Sequence, residues 1–106
     1  MVIDFSADWC GPCKFIEPAV HDLAIEFSDV EFIKIDVDEL PEVAKDFEVQ
    51  AMPTFVLVKK GKERERIVGV KKDELHRMIE KHRTMYSQTL VMSANILLSS
   101  NVHANI

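Results

Sequence analysis

Cys10 and Cys13 are the two cysteines of this 106-residue chain, and their spacing is what gives them chemistry. The run Phe5-Ser6-Ala7-Asp8-Trp9-Cys10-Gly11-Pro12-Cys13-Lys14 sets them three positions apart, directly behind an apolar segment that reads as a strand. On the first turn of a helix, side chains at i and i+3 lie on one face. Two thiols there are close enough to close a small disulfide ring or to stand open as a dithiol. Cys10 falls at the helix start, where unpaired backbone N–H groups and the positive end of the dipole favour a thiolate. It is therefore expected to attack, and Cys13, one turn further in, to resolve a mixed disulfide formed on Cys10.

Other uses of the same pair make further demands on the chain. A C-x-x-C is also half of a zinc or iron–sulfur site, but no second cysteine pair is present. His21, His76, His82 and His103 are scattered at no ligand spacing, so no metal is expected. A purely structural disulfide closing so short a loop would constrain the unfolded chain little.

The surrounding pattern supplies elements that position the pair. Residues 2–5 read as a buried strand, and Cys13, Ile16, Val20, Leu23, Ala24 and Phe27 fall on one face of a helix over 11–27. Pro18 interrupts that helix and is expected to kink it. A second strand is expected over 30–36, and a short helix over 40–47, begun by Asp38, Glu39 and Pro41. A third strand follows over 54–59, then a turn at Lys60-Gly61-Lys62, a fourth strand over 65–68 and a helix over 71–83. The order β-α-β-α-β-β-α predicts an α/β fold with helices packed on a mixed four-stranded sheet.

Trp9-Cys10-Gly11-Pro12-Cys13-Lys14, with Val2-Ile3-Asp4-Phe5 before it and Ala51-Met52-Pro53-Thr54-Phe55 and Val68-Gly69-Val70 after it, resembles thioredoxin, most nearly the plant h-type. The resemblance runs in order over about residues 2–83. It implies the thioredoxin-like fold and protein-disulfide reduction through Cys10 and Cys13. The inner pair Gly11-Pro12 is that of the strongly reducing members of the wider dithiol group. The resemblance also implies a redox-active disulfide with no bound cofactor, recharged from NADPH by a separate flavoprotein thioredoxin reductase. The chain has no Gly-rich dinucleotide fingerprint of its own.

Further site residues follow from the same resemblance. Asp4 reads from sequence alone either as a solvated strand-end carboxylate or as a buried acid. The family places a buried acid there, able to take a proton from Cys13. Lys34 resembles the lysine near that acid, although a plain exposed lysine is nearly as ordinary a reading. Trp9, Gly11 and Pro12 flank the nucleophile. Met52 and Pro53 match the family's cis-proline segment, which offers backbone to an extended substrate. Val68, Gly69 and Val70 match a third substrate loop.

Two departures qualify the match. The family begins with a strand and a helix that precede the strand leading to the cysteines, whereas here Met1 stands directly on that strand. This leaves the 30–36 strand as an expected exposed edge and makes self-association an expectation. The other departure is residues 84–106, which contain no Asp, Glu, Lys or Arg. They read as a flexible tail beyond a 1–83 domain, or alternatively as a short helix through Leu90, Val91, Ala94, Leu97 and Leu98.

Composition narrows the partners. Eighteen acidic against 13 basic residues give a net charge of −5, which disfavours nucleic acid and anionic membrane surfaces and leaves disulfide-containing proteins as the expected partners. No signal-peptide pattern, 18-residue apolar stretch or Gly at position 2 is present, so the cytosol is the expected compartment. The competing function class is a non-catalytic binding or self-associating module that retains the docking surface without turnover.

Overall fold

A computed structural model describes residues 1–83. The chain divides into two units at His76, and of the second only residues 77–83 are described. The expected tail over 84–106, with its short helix, lies outside the described residues.

The first unit is built on a four-stranded mixed sheet in the order β2-β1-β3-β4. Strand β1 (Val2–Ser6) is followed by helix α1 (Gly11–Glu26), β2 (Phe32–Asp36), helix α2 (Pro41–Asp46), β3 (Thr54–Lys59) and β4 (Lys62–Val68). A third helix, α3, spans 72–83. β1 runs parallel to β2 and antiparallel to β3, and β3 runs antiparallel to β4. The expected element order and the α/β architecture are therefore those observed.

Side chains of β1 alternate between two helical layers. Ile3 and Phe5 join Ala44 and Val56 in a core against which Val43, Phe47, Ile35 and Val49 pack, so α2 covers this face. The Phe5 and Phe47 rings lie 5.4 Å apart and tilted, an arrangement aromatic quadrupoles favour. Asp4 opens toward α1, where it shares a groove with Lys14, Glu17 and His21. At the far end of α1, His76 of α3 meets Glu26 at 2.8 Å, and its ring lies tilted against that of Phe27 with centroids 5.2 Å apart. Leu75, Met78 and Ile79 along α3 are buried.

Several boundaries differ from the sequence expectation for identifiable reasons. β4 begins at Lys62 rather than at 65, although its first residues, Lys62-Glu63-Arg64-Glu65, are charged. Lys60 (φ 55°) and Gly61 (φ 74°) form a two-residue hairpin turn that carries the pairing from Lys59↔Lys62 onward. Such turns match the twist of the strands they join, and charged side chains are tolerated on an outer strand. β2 starts two residues late because the Val30 N–H is taken by Phe27 O in the turn leaving α1. α1 continues through Pro18, and its Val20 and Ala24 are only half-buried. Asp38 and Glu39 do not cap α2. Its N-cap is Leu40, which makes no side-chain cap bond. The Asp36 carboxylate instead accepts the Asp38 and Glu39 N–H groups at 2.8 and 3.3 Å, shaping the turn before the helix.

Candidate functional site

Cys10 occupies the N-cap of α1, with extended backbone (φ −85°, ψ 104°), and Pro12 lies in the first turn. Proline suits that position because its missing N–H would have had no intrahelical partner. The Cys10 sulfur accepts the backbone N–H of Cys13 at 3.1 Å, so the helix terminus directs a donor at this atom. The two sulfurs are joined in a disulfide, with Cα atoms 5.2 Å apart. Both residues are buried, Cys10 at 3% exposure and Cys13 at 7%. They cluster with Ala7, and Val37 and Met52 pack against them.

An exposed rim surrounds this buried pair. Trp9 is 67% exposed, and Gly11 and Pro12 are also exposed. A side chain at Gly11 would meet no atom within 4 Å, so the surface beside Cys10 is open. On the other side of the pair, the Met52–Pro53 peptide bond is cis, as the resemblance implied. The Pro53 carbonyl accepts the Gly69 N–H at 2.9 Å, tying that segment to Val68-Gly69-Val70. Gly69 has φ 100°, a backbone region that side-chain-bearing residues rarely adopt. Val68 and Val70 are exposed beside it. Trp9, Met52, Pro53 and the Val68–Val70 segment thus supply apolar surface from three separate segments, and the backbone of Met52 is unpaired among the described residues.

Asp4 lies below this surface on β1, opposite Lys34 of β2 and Phe55 of β3. One of its carboxylate oxygens, Oδ1, is buried with no hydrogen-bond partner. Burial disfavours the charged carboxylate and raises its pKa to about 6; Lys34 opposes the rise and Glu17 adds to it. The buried-acid reading of Asp4 therefore describes its surroundings better than the solvated one. Lys34 itself is exposed, with its Nζ 3.8 Å from Glu17 Oε1.

The sequence profile of the thioredoxin family matches residues 1–81. The chain belongs to the thioredoxin family. It is 66% identical over 83 residues to Thioredoxin H2 of Arabidopsis thaliana, covering 78% of this chain and 62% of that one. It is also 66% identical to Thioredoxin H2-2 of Oryza sativa over 79 residues, which make up 74% of this chain and 59% of the relative. The chain therefore spans about three-fifths of the length of these curated relatives. Among solved structures, thioredoxin NaTrxh from Nicotiana alata superposes with a TM-score of 0.76 at 60% identity, over 76% of this chain and 70% of that one. Mitochondrial thioredoxin 3 of Saccharomyces cerevisiae, in its oxidized form, gives 0.74 at 49% identity, over 76% of each chain. The thioredoxin-like fold and the h-type resemblance are thus those of the relatives.

Two neighbours of the site were not singled out from sequence. Trp9 Nε1 donates to Asp38 Oδ2 at 2.8 Å across 29 residues, so Asp38, expected to start a helix, instead holds the indole. The alternation Asp36-Val37-Asp38 carries a signal in retrospect: one carboxylate closes the turn and the second is free to reach elsewhere. Val37 packs against both the cysteine cluster and the Ile3–Phe5 core. Among the described residues, no group of three or more His, Cys, Asp or Glu side chains could hold a metal ion, and no helix is long and apolar enough to cross a membrane.

Proposed function

We propose that this chain reduces disulfides in other proteins by dithiol–disulfide exchange, with the activity residing in residues 1–83. The observation that carries this reading is the Cys13 N–H donated to the Cys10 sulfur at the N-terminus of α1. A donor and a helix dipole aimed at one sulfur of a linked pair favour its thiolate, the form that attacks.

In the reduced protein the Cys10 thiolate attacks a substrate disulfide, forming a Cys10–substrate bond and releasing one substrate thiolate, which takes a proton from water. Cys13 gives its proton to Asp4 or to water, and its thiolate attacks Cys10 Sγ. The mixed disulfide breaks, the second substrate thiolate leaves, and Cys10–Cys13 is oxidised while the substrate has gained two electrons. Asp4 suits the proton step because its burial makes it a stronger base than an ordinary carboxylate.

The substrate docks over Trp9, Gly11 and Pro12, with an extended segment pairing to the backbone of Met52 beside Pro53 and contacting Val68, Gly69 and Val70. Among the described residues, neither the N–H nor the C=O of Met52 has a hydrogen-bond partner, which supports that pairing. Lys34 tempers the charge on Asp4. Recharging comes from NADPH through a thioredoxin reductase, and the compartment is the cytosol, both by analogy with the family.

Insulin reduction by the 106-residue chain, with dithiothreitol or with NADPH and thioredoxin reductase as donor, tests the reading. Cys10→Ser abolishes turnover with either donor, and Cys13→Ser accumulates mixed disulfides with substrate. Activity that survives Cys10→Ser refutes the mechanism.

A second reading, a self-associating module without turnover, draws on β2. It is the outermost strand, and no strand pairs with its far edge among the described residues. Folded protein that fails to reduce insulin with either donor, while its apparent mass rises with concentration, would favour it.

A further inference from the structure

We propose that Glu17 is a positioning residue for Asp4: its carboxylate holds the Lys34 ammonium at the rim of the groove and so keeps the buried acid without a cationic partner. The inference rests on the proposed role of Asp4 in taking the Cys13 proton.

Asp4 and Lys34 are direct neighbours across the parallel β1–β2 pair, so their side chains leave the sheet on the same face. A lysine in that place is the cation best situated to satisfy the carboxylate, and an opposite charge within hydrogen-bonding reach would lower its pKa by about 1–3. No such bond forms. Asp4 Oδ1 remains buried and unpartnered, while Lys34 Nζ turns to Glu17 Oε1 on α1 at 3.8 Å. Two carboxylates thus face one ammonium, and the solvated one takes it.

The Glu17–Lys34 contact adds little to stability as an ion pair, because both side chains are more than half exposed, at 59% and 58%. Its consequence is positional. With the ammonium drawn outward, the attraction that would make Asp4 a weak base is reduced, and the Glu17 charge adds a smaller repulsion of its own. The direction of the Asp4 shift agrees, with burial first, Lys34 opposing and Glu17 reinforcing. Lys14 and His21 of α1 line the same groove, and β3 places Phe55 opposite Asp4.

Carboxyl-¹³C NMR of the 106-residue chain reads the Asp4 titration directly, and because Glu17 is exposed its replacement leaves the fold intact. Glu17→Gln lowers the Asp4 midpoint by about 0.5–1 pH unit, since the freed ammonium swings inward. Glu17→Asp, one methylene shorter, restores part of the shift. In a Lys34→Gln background, Glu17→Gln has at most a small fraction of that effect. An unchanged midpoint in Glu17→Gln overturns the proposal. A drop of the same size with and without Lys34 also overturns it, because Glu17 would then act by direct repulsion alone.

The rate at which Cys13 resolves a preformed mixed disulfide, followed against pH in single turnover, separates this from the mechanism beneath it. The acid limb of that profile moves with the NMR midpoint in Glu17→Gln. A midpoint that moves while the profile stays fixed would remove Asp4 from the proton step, refuting that part of the proposed mechanism while leaving the hold of Glu17 on Lys34 demonstrated.

Discussion

Replacing Asp4 with Asn removes a charge that the fold disfavours, so the variant is expected to be more stable than the parent at neutral pH. The pKa of Asp4 is about 6 in the folded chain against an ordinary value of 3.8. The native state therefore binds the proton more tightly than the unfolded chain does. The stability associated with that proton is fully present below about pH 4 and is lost as pH rises through about 6. At about 1.4 kcal/mol per tenfold change in proton affinity, the loss at pH 7 approaches about 3 kcal/mol. Water reaching the acid through its groove, and the unpaired amide that Asn introduces, reduce the net gain to about 1–2 kcal/mol. For a domain of this size that is roughly 5–15 °C in Tm. Thermal unfolding of the oxidised protein by far-UV circular dichroism, at half-unit steps from pH 4 to 8, measures it. The variant's advantage should be near zero or negative at pH 4 and grow to its maximum above pH 7. An advantage that does not change with pH, or a variant less stable at pH 7, would refute the argument that desolvation of this carboxylate dominates. The same substitution slows mixed-disulfide resolution, because the acceptor is gone.

Asp38→Asn weakens the charge-assisted bond to Trp9 Nε1. Since Trp9 is the one tryptophan in the chain, its fluorescence anisotropy should fall and the KM for insulin should rise by about 2–10-fold, corresponding to about 0.5–1.5 kcal/mol, with kcat little changed. Gly69→Ala meets no clash, yet at φ 100° it strains the backbone. It should cost about 1–3 kcal/mol in urea unfolding and weaken substrate binding, because the Gly69–Pro53 bond is disturbed. Leu75→Ala empties a fully buried site on α3 and should cost about 2–5 kcal/mol, read as a lower urea midpoint with an unchanged slope.

The cysteine pair shows both the reach of sequence reading and its limit. Spacing predicts the helix start, the shared face and a pair able to close as a disulfide or stand as a dithiol, all of which depend on residues within one turn. The expectation that Cys10 stands ready as attacker says nothing of its burial at 3% exposure, which comes from Met52 and Val37 closing over it. Asp38 shows the same limit. By propensity an acidic residue before Pro41 starts a helix, and only the approach of Trp9 gives its carboxylate a different partner. The start of β4 at Lys62, ahead of the expected 65, has the same cause: strand propensity weighs side chains, whereas the hairpin at Lys60-Gly61 sets the backbone pairing first.

By itself, the sequence determined the local chemistry of this protein: the order of strands and helices and their ends to within about three residues, where Gly61 turns the chain, and that two thiols share the first turn of α1. These follow from steric and hydrogen-bonding preferences that act over a few residues. Tertiary structure alone decided that β1 lies between β2 and β3, that Gly69 binds Pro53, that Trp9 meets Asp38, and that Glu17 rather than Asp4 receives Lys34. Such contacts arise because several apolar faces must be buried at once on a single sheet. The polar groups carried along with them then find partners, or fail to find them, according to where that burial leaves them.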